Sequence, residues 1–225
     1  LHPLQDQLGH TGTVICSNGA VVWDLEADRL LSARTLELDA MFEVRRIIKR
    51  LRPSALFAAE TLTGFHLEPG FIENGSSELL AEFTPAPLHT TLTEGDAVAK
   101  FLAIVREGTA DEFLAEVTPA VAHLAAATHS APNMALLELS LPGVNKAVAL
   151  AEYAASLGIG AADVVAFGDM PNDIEMLRWA GHGYAMASGH PEAIRAAGRQ
   201  APHFDDDGVA QILESKLAEL GVRLP

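Results

Sequence analysis

The residues with the most chemical reach fall in one stretch, Asp163-Val164-Val165-Ala166-Phe167-Gly168-Asp169-Met170-Pro171-Asn172-Asp173. The apolar run Val164 to Phe167 is too short for a helix and is followed by Gly and Pro, so it predicts a short strand buried on both faces of a parallel sheet. Its carboxyl end delivers Gly168 and Asp169, and in open α/β sheets that edge is where ligands sit. A flexible Gly168 would let the chain turn. Pro171 suits the first turn of the next helix, with Asn172 and Asp173 beside its amide-rich N-terminus. Hard carboxylate oxygens and unsatisfied amides at one corner suit a magnesium ion together with a phosphate. Turns of the same composition also arise from helix capping alone, and the stretch by itself does not separate the two readings.

Lys146 is the second group of interest. Gly143-Val144-Asn145-Lys146 stands where a helix begins. A cation in the first turn faces the positive end of the helix dipole, which is unfavourable by a few tenths of a kcal/mol or more unless an anion sits there. The ordinary alternative is a solvated surface lysine. A nearby carboxylate loop and a bound phosphate would supply the missing anions.

The elements that must position these groups follow from the pattern of the chain. Val14 to Cys16 and Ala20 to Asp24 are β-type runs separated by the turn Ser17-Asn18-Gly19. Apolar residues at 38, 41, 44, 48 and 51 predict a helix over 38–51, ended by Pro53. Strands are expected at 55–60, 65–68, 98–105 and 135–141, the third carrying a lone Lys100. Thr109-Ala110-Asp111-Glu112 matches a capping box, and Ala-rich 121–128 fits helix or strand. Residues 73–95 are polar and broken by Gly and Pro. The last third alternates helix 145–157, the central strand, helix 173–180, strand 184–186, helix 191–197 and helix 209–220. Helices alternating with strands in this way indicate an α/β chain with a doubly wound, Rossmann-like parallel sheet core. That sheet has too few strands at its start.

Composition narrows the partners. The 225 residues carry a formal charge of −15, which argues against nucleic acid or an anionic membrane. Cys16 is the single cysteine of the sequence, so no disulfide forms within it. A reducing compartment is then the simplest home. No apolar run reaches the roughly 18 residues of a membrane-spanning helix, and no signal stretch opens the chain. A cytoplasmic location is the expectation. The nine histidines include no pair at short ligand spacing, His123 and His129 coming nearest, so zinc is not expected.

Taken in order, Ser17-Asn18-Gly19-Ala20, Gly143-Val144-Asn145-Lys146, Gly168-Asp169-Met170-Pro171-Asn172-Asp173, Tyr184-Ala185-Met186-Ala187 and Asp207-Gly208-Val209 resemble the Cof-type hydrolases of the haloacid dehalogenase-like superfamily. The likeness runs nearly end to end, and a G-D-x-x-N-D loop preceded by a Lys about 20 residues earlier is specific as a combination. The resemblance implies a magnesium-dependent phosphatase of small phosphorylated metabolites such as sugar phosphates, with a large inserted α+β cap (type IIB). It implies that Lys146 holds the phosphoryl group and the nucleophile, that Asp169 binds magnesium, that Asn172 contacts phosphate and that Asp173 orients Lys146 or the metal shell. For Asn18 a structural turn role is expected. The implied organisation is a core remnant over 1–27, a cap over 28–131 and the core over 132–225.

Members of that family open with a D-x-D-G-T strand, whose first Asp attacks phosphorus, followed by a T-G-R-type turn. Neither stands in this sequence. Asp205-Asp206-Asp207-Gly208-Val209 imitates the first, but it lacks an apolar strand before it and is expected to be an acidic turn capping a helix. Thr63-Gly64-Phe65 is a poor match to the second. The chain opens at Leu1 without Met, and the expectation is a fragment whose nucleophilic Asp lies upstream of Leu1. Two other readings stay open, a phosphosugar mutase of related architecture and a binding protein that has lost the nucleophile. A wholly different one, a binding module in which the acidic loop is only a cap, predicts no effect of magnesium on stability.

Overall fold

The computed structural model describes residues 11–72, 83–131 and 133–221. The sequence readings of 1–8 and of 73–82 lie outside these residues. The chain divides into two compact units, Leu1–Asn145 and Lys146–Pro225.

The first unit opens with an antiparallel three-stranded sheet of β1 (Thr13–Cys16), β2 (Val21–Asp24) and β3 (Arg29–Ala33). Helix α1 (Leu38–Leu51) follows, with the bounds its apolar spacing predicts. A second antiparallel sheet has β4 (Leu56–Thr61), β5 (Phe65–Leu67), β6 (Val98–Val105), β7 (Ala126–Thr128) and β8 (Ala135–Ser140) in the order β5-β4-β6-β8-β7. Between β5 and β6 lies the single helical turn α2 (Leu88–Thr91). Helix α3 (Ala110–Val121) joins β6 to β7 and starts with the expected capping box: Thr109 Oγ1 accepts from the Glu112 amide at 3.2 Å and Glu112 Oε2 from the Thr109 amide at 3.0 Å. The ambiguous segment 121–128 resolves into the end of α3 and the strand β7.

Strand alternation sorts the faces of the larger sheet. Phe57, Ala59, Phe101, Ala103, Leu137 and Leu139 are fully buried in one cluster with Met41, Val44 and Ile48 of α1 and Phe113, Val117 and Val121 of α3. The Phe57 and Phe101 rings stack at 5.4 Å. The intervening positions hold Ala58, Leu102 and Ile104 in a second apolar cluster. The same alternation gives that face the charged residues Glu60, Lys100 and Glu138, with Glu60 directly opposite Lys100 and Leu102 opposite Glu138.

The second unit contains α4 (Lys146–Ser156), β9 (Val165–Gly168), α5 (Ile174–Trp179), β10 (His182–Met186), α6 (Pro191–Ala196), β11 (Arg199–Ala201) and α7 (Gly208–Glu219). Its three described strands are parallel, in the order β11-β10-β9. This is the expected α/β alternation. Burial on both faces of the central strand is only half realised: Ala166 and Gly168 are buried, while Val165 and Phe167 are partly exposed and lean on Tyr184 and Met186. The division at 145/146 keeps β8 with its sheet partners β6 and β7. The functional boundaries at 27/28 and 131/132 concern the core and cap assignments and rest on the resemblance.

Candidate functional site

β9 ends at Gly168, and the reason for glycine there is proximity. A Cβ on Gly168 would lie 2.4 Å from Cβ and 2.7 Å from Cγ of Asp173, and Gly168 is not among the positive-φ glycines. The flexibility expected from the sequence is therefore not what selects it. The close approach lets Asp173, five positions on, fold its carboxylate back over the strand end.

That carboxylate is the hub of the site. Asp173 Oδ2 accepts from the backbone N–H of Asp169 at 3.0 Å and of Met170 at 3.1 Å, and Oδ1 accepts from Lys146 Nζ at 2.5 Å. Asp173 is 3% exposed, so three donors, one of them charged, balance its removal from water. Pro171–Asp173 form a single tight turn ahead of α5, with Asn172 buried inside it. Lys146 is the first residue of α4 and keeps about a third of its side chain in solvent (31%). The structure thus brings Lys146, Asp169, Asn172 and Asp173 into one loop cluster of the second unit.

Asp169 differs from Asp173 in being exposed. Partial burial of its carboxyl group, and then the negative charge of Asp173, hold its pKa above the usual carboxylate range, with Lys146 acting the other way. An exposed hard-oxygen donor whose ionisation is opposed by a neighbouring anion is a place where a divalent cation relieves repulsion. A carboxylate oxygen is the kind of donor magnesium takes, and Asp169 offers one here.

One support escaped sequence reasoning. The turn after β10 packs on the Asp169 backbone: a Cβ on Gly189 would lie 2.8 Å from Asp169 O, and the His190 N–H donates to that oxygen at 2.6 Å. The Gly189-His190-Pro191 punctuation was the available signal. It marks a turn without naming what the turn touches.

One expectation takes a different form. Asp207 precedes α7 in the left-handed conformation, φ 55°, and its side chain makes no cap bond. In the turn before it His203 Nδ1 accepts from the Asp205 N–H at 3.2 Å, so the acidic turn stands at a helix start but its acids are not the caps. Asn18, also left-handed at φ 57°, donates from Nδ2 to Glu138 Oε2 at 2.6 Å, which ties the turn to the larger sheet of the same unit. His129, weighed for zinc, is buried with Nε2 2.9 Å from Asp111 Oδ1.

Residues 1–213 match the family model of haloacid dehalogenase-like hydrolases. The phosphatase YitU of Bacillus subtilis, described as acting on 5-amino-6-(5-phospho-D-ribitylamino)uracil, is 38% identical over 79 residues, covering 35% of this chain and 29% of that protein. An HMP-PP phosphatase of Yersinia pseudotuberculosis is 30% identical over 192 residues, 82% of this chain and 66% of that protein. The chain thus spans less than two thirds of the length of both. Among solved structures, SMU.1108c from Streptococcus mutans superposes with a TM-score of 0.81 at 24% identity, over 96% of this chain and 82% of that one. The subclass IIB sugar phosphatase BT4131 gives 0.75 at 17% identity over 99% and 80%. Both likenesses concern the fold, a Rossmann-like core with a cap. The chain belongs to the haloacid dehalogenase-like hydrolases, in their Cof-type branch.

Proposed function

We propose that the protein is a magnesium-dependent phosphatase, a phosphoric monoester hydrolase acting on small phosphorylated metabolites such as sugar phosphates, in the cytoplasm. The observation that carries this reading is the Lys146–Asp173 pair at 2.5 Å, fixed through Asp173 to the amides that also place Asp169. Phosphoryl transfer needs positioning and charge stabilisation more than covalent chemistry from the surrounding protein. Lys146 presents an ammonium that neutralises charge on phosphoryl oxygens. Asp173 holds that ammonium in place, and Asn172 contacts the phosphate from the same turn. Asp169 holds the magnesium ion, which when bound acts as a Lewis acid on the phosphoryl oxygens. In the proposed reaction an aspartate attacks phosphorus, the alcohol leaves, and water hydrolyses the aspartyl phosphate. None of the four residues above is that nucleophile.

The test uses the protein as its gene encodes it, with p-nitrophenyl phosphate in the presence and absence of magnesium. Lys146→Ala is expected to lower kcat by at least about a hundredfold with the circular dichroism spectrum unchanged. Asp169→Asn is expected to abolish the response to magnesium. Magnesium-dependent turnover that survives Asp169→Asn intact would sink the assignment of this loop.

A further inference from the structure

Strand register brings a second turn to the Asp169 loop. β9 and β10 are parallel neighbours with Gly168 beside Ala185, so the turn over 187–190 leaves the sheet next to the turn that carries Asp169. It is itself fixed from three sides. The Ala187 N–H donates to Ala201 O of β11 at 3.0 Å, the Gly189 N–H to Met186 O of β10 at 2.9 Å, and the His190 carbonyl takes the Ile194 N–H at 3.1 Å as α6 begins.

We propose that Gly189 and His190 are positioning residues of the cation site, clamping the main chain of Asp169 so that its carboxylate suits magnesium better than calcium; this rests on the reading of Asp169 as the magnesium ligand. Both polar groups of the Asp169 backbone are engaged. Its N–H donates to Asp173 Oδ2 at 3.0 Å, and its carbonyl takes the His190 N–H at 2.6 Å. One bond comes from the turn that follows Asp169 and the other from the separate turn after β10, so the residue cannot pivot about its main chain without losing one of them. Gly189 is what lets the second turn come so close. A Cβ there would lie 2.8 Å from Asp169 O, 3.0 Å from Asp169 Cα and 3.0 Å from Met186 O, all of them backbone atoms. What still rotates is the exposed Asp169 side chain.

A clamp of this kind acts differently on the two ions. Magnesium demands near-octahedral geometry at about 2.0–2.1 Å, whereas calcium accepts oxygen ligands at about 2.3–2.6 Å in flexible arrangements. A carboxylate on a fixed main chain keeps its oxygen where the smaller ion needs it and gives up less freedom on binding. Loosening the main chain therefore penalises magnesium more than calcium.

Isothermal titration of magnesium and of calcium into the protein as its gene encodes it tests this, with His190→Pro set against His190→Ala. His190 has φ −59° and ψ 139°, a backbone conformation that proline takes. The proline variant removes the N–H that Asp169 O accepts, and the alanine variant removes the same imidazole but keeps that N–H. His190→Pro should bind magnesium at least about tenfold more weakly than His190→Ala, and calcium less than about threefold more weakly. Gly189→Ala should follow His190→Pro. A His190→Pro protein that binds magnesium as tightly as His190→Ala, or that loses both ions equally, overturns the proposal. Should His190→Pro fail to fold, hydrogen exchange of the His190 amide in the unaltered protein decides. Equal protection with and without magnesium is expected, and protection that arises only when magnesium is added shows that the clamp is not preformed and overturns it. Asp169→Asn separates the two layers of the reading. Magnesium binding unchanged by Asp169→Asn removes Asp169 as the ligand, whereas binding lost in Asp169→Asn but kept in His190→Pro removes the positioning role alone.

Discussion

Lys146 and Lys100 both lie against carboxylates, the first 2.5 Å from Asp173 in the C-terminal unit, the second between Glu60 at 3.3 Å and Glu138 at 3.7 Å in the N-terminal one. Lys100 is held by the register of three neighbouring strands and is outnumbered by its acids. Lys146 faces an acid that backbone amides already satisfy in part, so its charge is less fully cancelled and part of its side chain stays in solvent. Carboxylates are in excess at both places, Glu60 and Glu138 around Lys100 and Asp169 and Asp173 around Lys146, but only the second pair includes an exposed acid. Identical residue types thus build a ladder that joins strands or a loop cluster tied to backbone amides, according to what else bonds the carboxylate.

The largest effect that would break this contrast is Gly168→Ala. Its Cβ would fall 2.4 Å from Asp173 Cβ, so the carboxylate has to leave the strand end, and with it the Lys146 contact. We expect a loss of roughly 3 kcal/mol, seen by hydrogen exchange in the C-terminal unit and not in the N-terminal one. Protection unchanged around Asp169 to Asp173 would show that the close approach does not hold the loop.

Next in size is Lys100→Met. It leaves Glu60 and Glu138 without their shared cation, and a cost of about 1–3 kcal/mol is expected in urea unfolding. Adding Glu138→Gln should recover part of that loss, because the remaining repulsion goes. A double variant no more stable than the single one would mean that the ladder is a solvated surface feature.

The smallest effect belongs to Asp96, whose carboxylate takes the Thr93 N–H at 2.7 Å and the Thr93 hydroxyl at 3.0 Å. The backbone hydrogen bond is the main cause of a pKa below the usual carboxylate range. A lowered folded-state pKa gives stability above the unfolded value and loses it as pH falls through the folded one. Asp96→Asn should therefore cost a few tenths of a kcal/mol at neutral pH, and that difference should close below about pH 4. A difference independent of pH would point to the turn geometry and away from the charge.

What was legible in the sequence tracks how local the cause is. Helix α1 could be read to the residue because its apolar positions repeat at helical spacing, and the capping box because both partners lie within four residues. The parallel strand β11 was missed because Arg199 and Gln200 carry no strand pattern, and its existence follows from pairing with β10. Strand β3 was missed for a related reason, being an exposed edge beside β2. Asp169, Asn172 and Asp173 could be grouped because they are nearly contiguous, and Lys146 was set beside them by its place at a helix start and by the family resemblance. The Glu60–Lys100–Glu138 ladder was not, since nothing but strand register relates residues 60, 100 and 138.

The turn at Ser17, Asn18 and Gly19, with three successive left-handed residues at φ 48°, 57° and 96°, also has a chemical age. An Asn followed by Gly is the step most open to loss of its side-chain amide, because the next backbone nitrogen can attack it. Here that amide is engaged with Glu138 at 2.6 Å. Were it lost, an aspartate would stand against a glutamate, and a corner that ties the turn to the sheet would become a point of repulsion. At this corner hydrolysis over time threatens the fold as directly as mutation does.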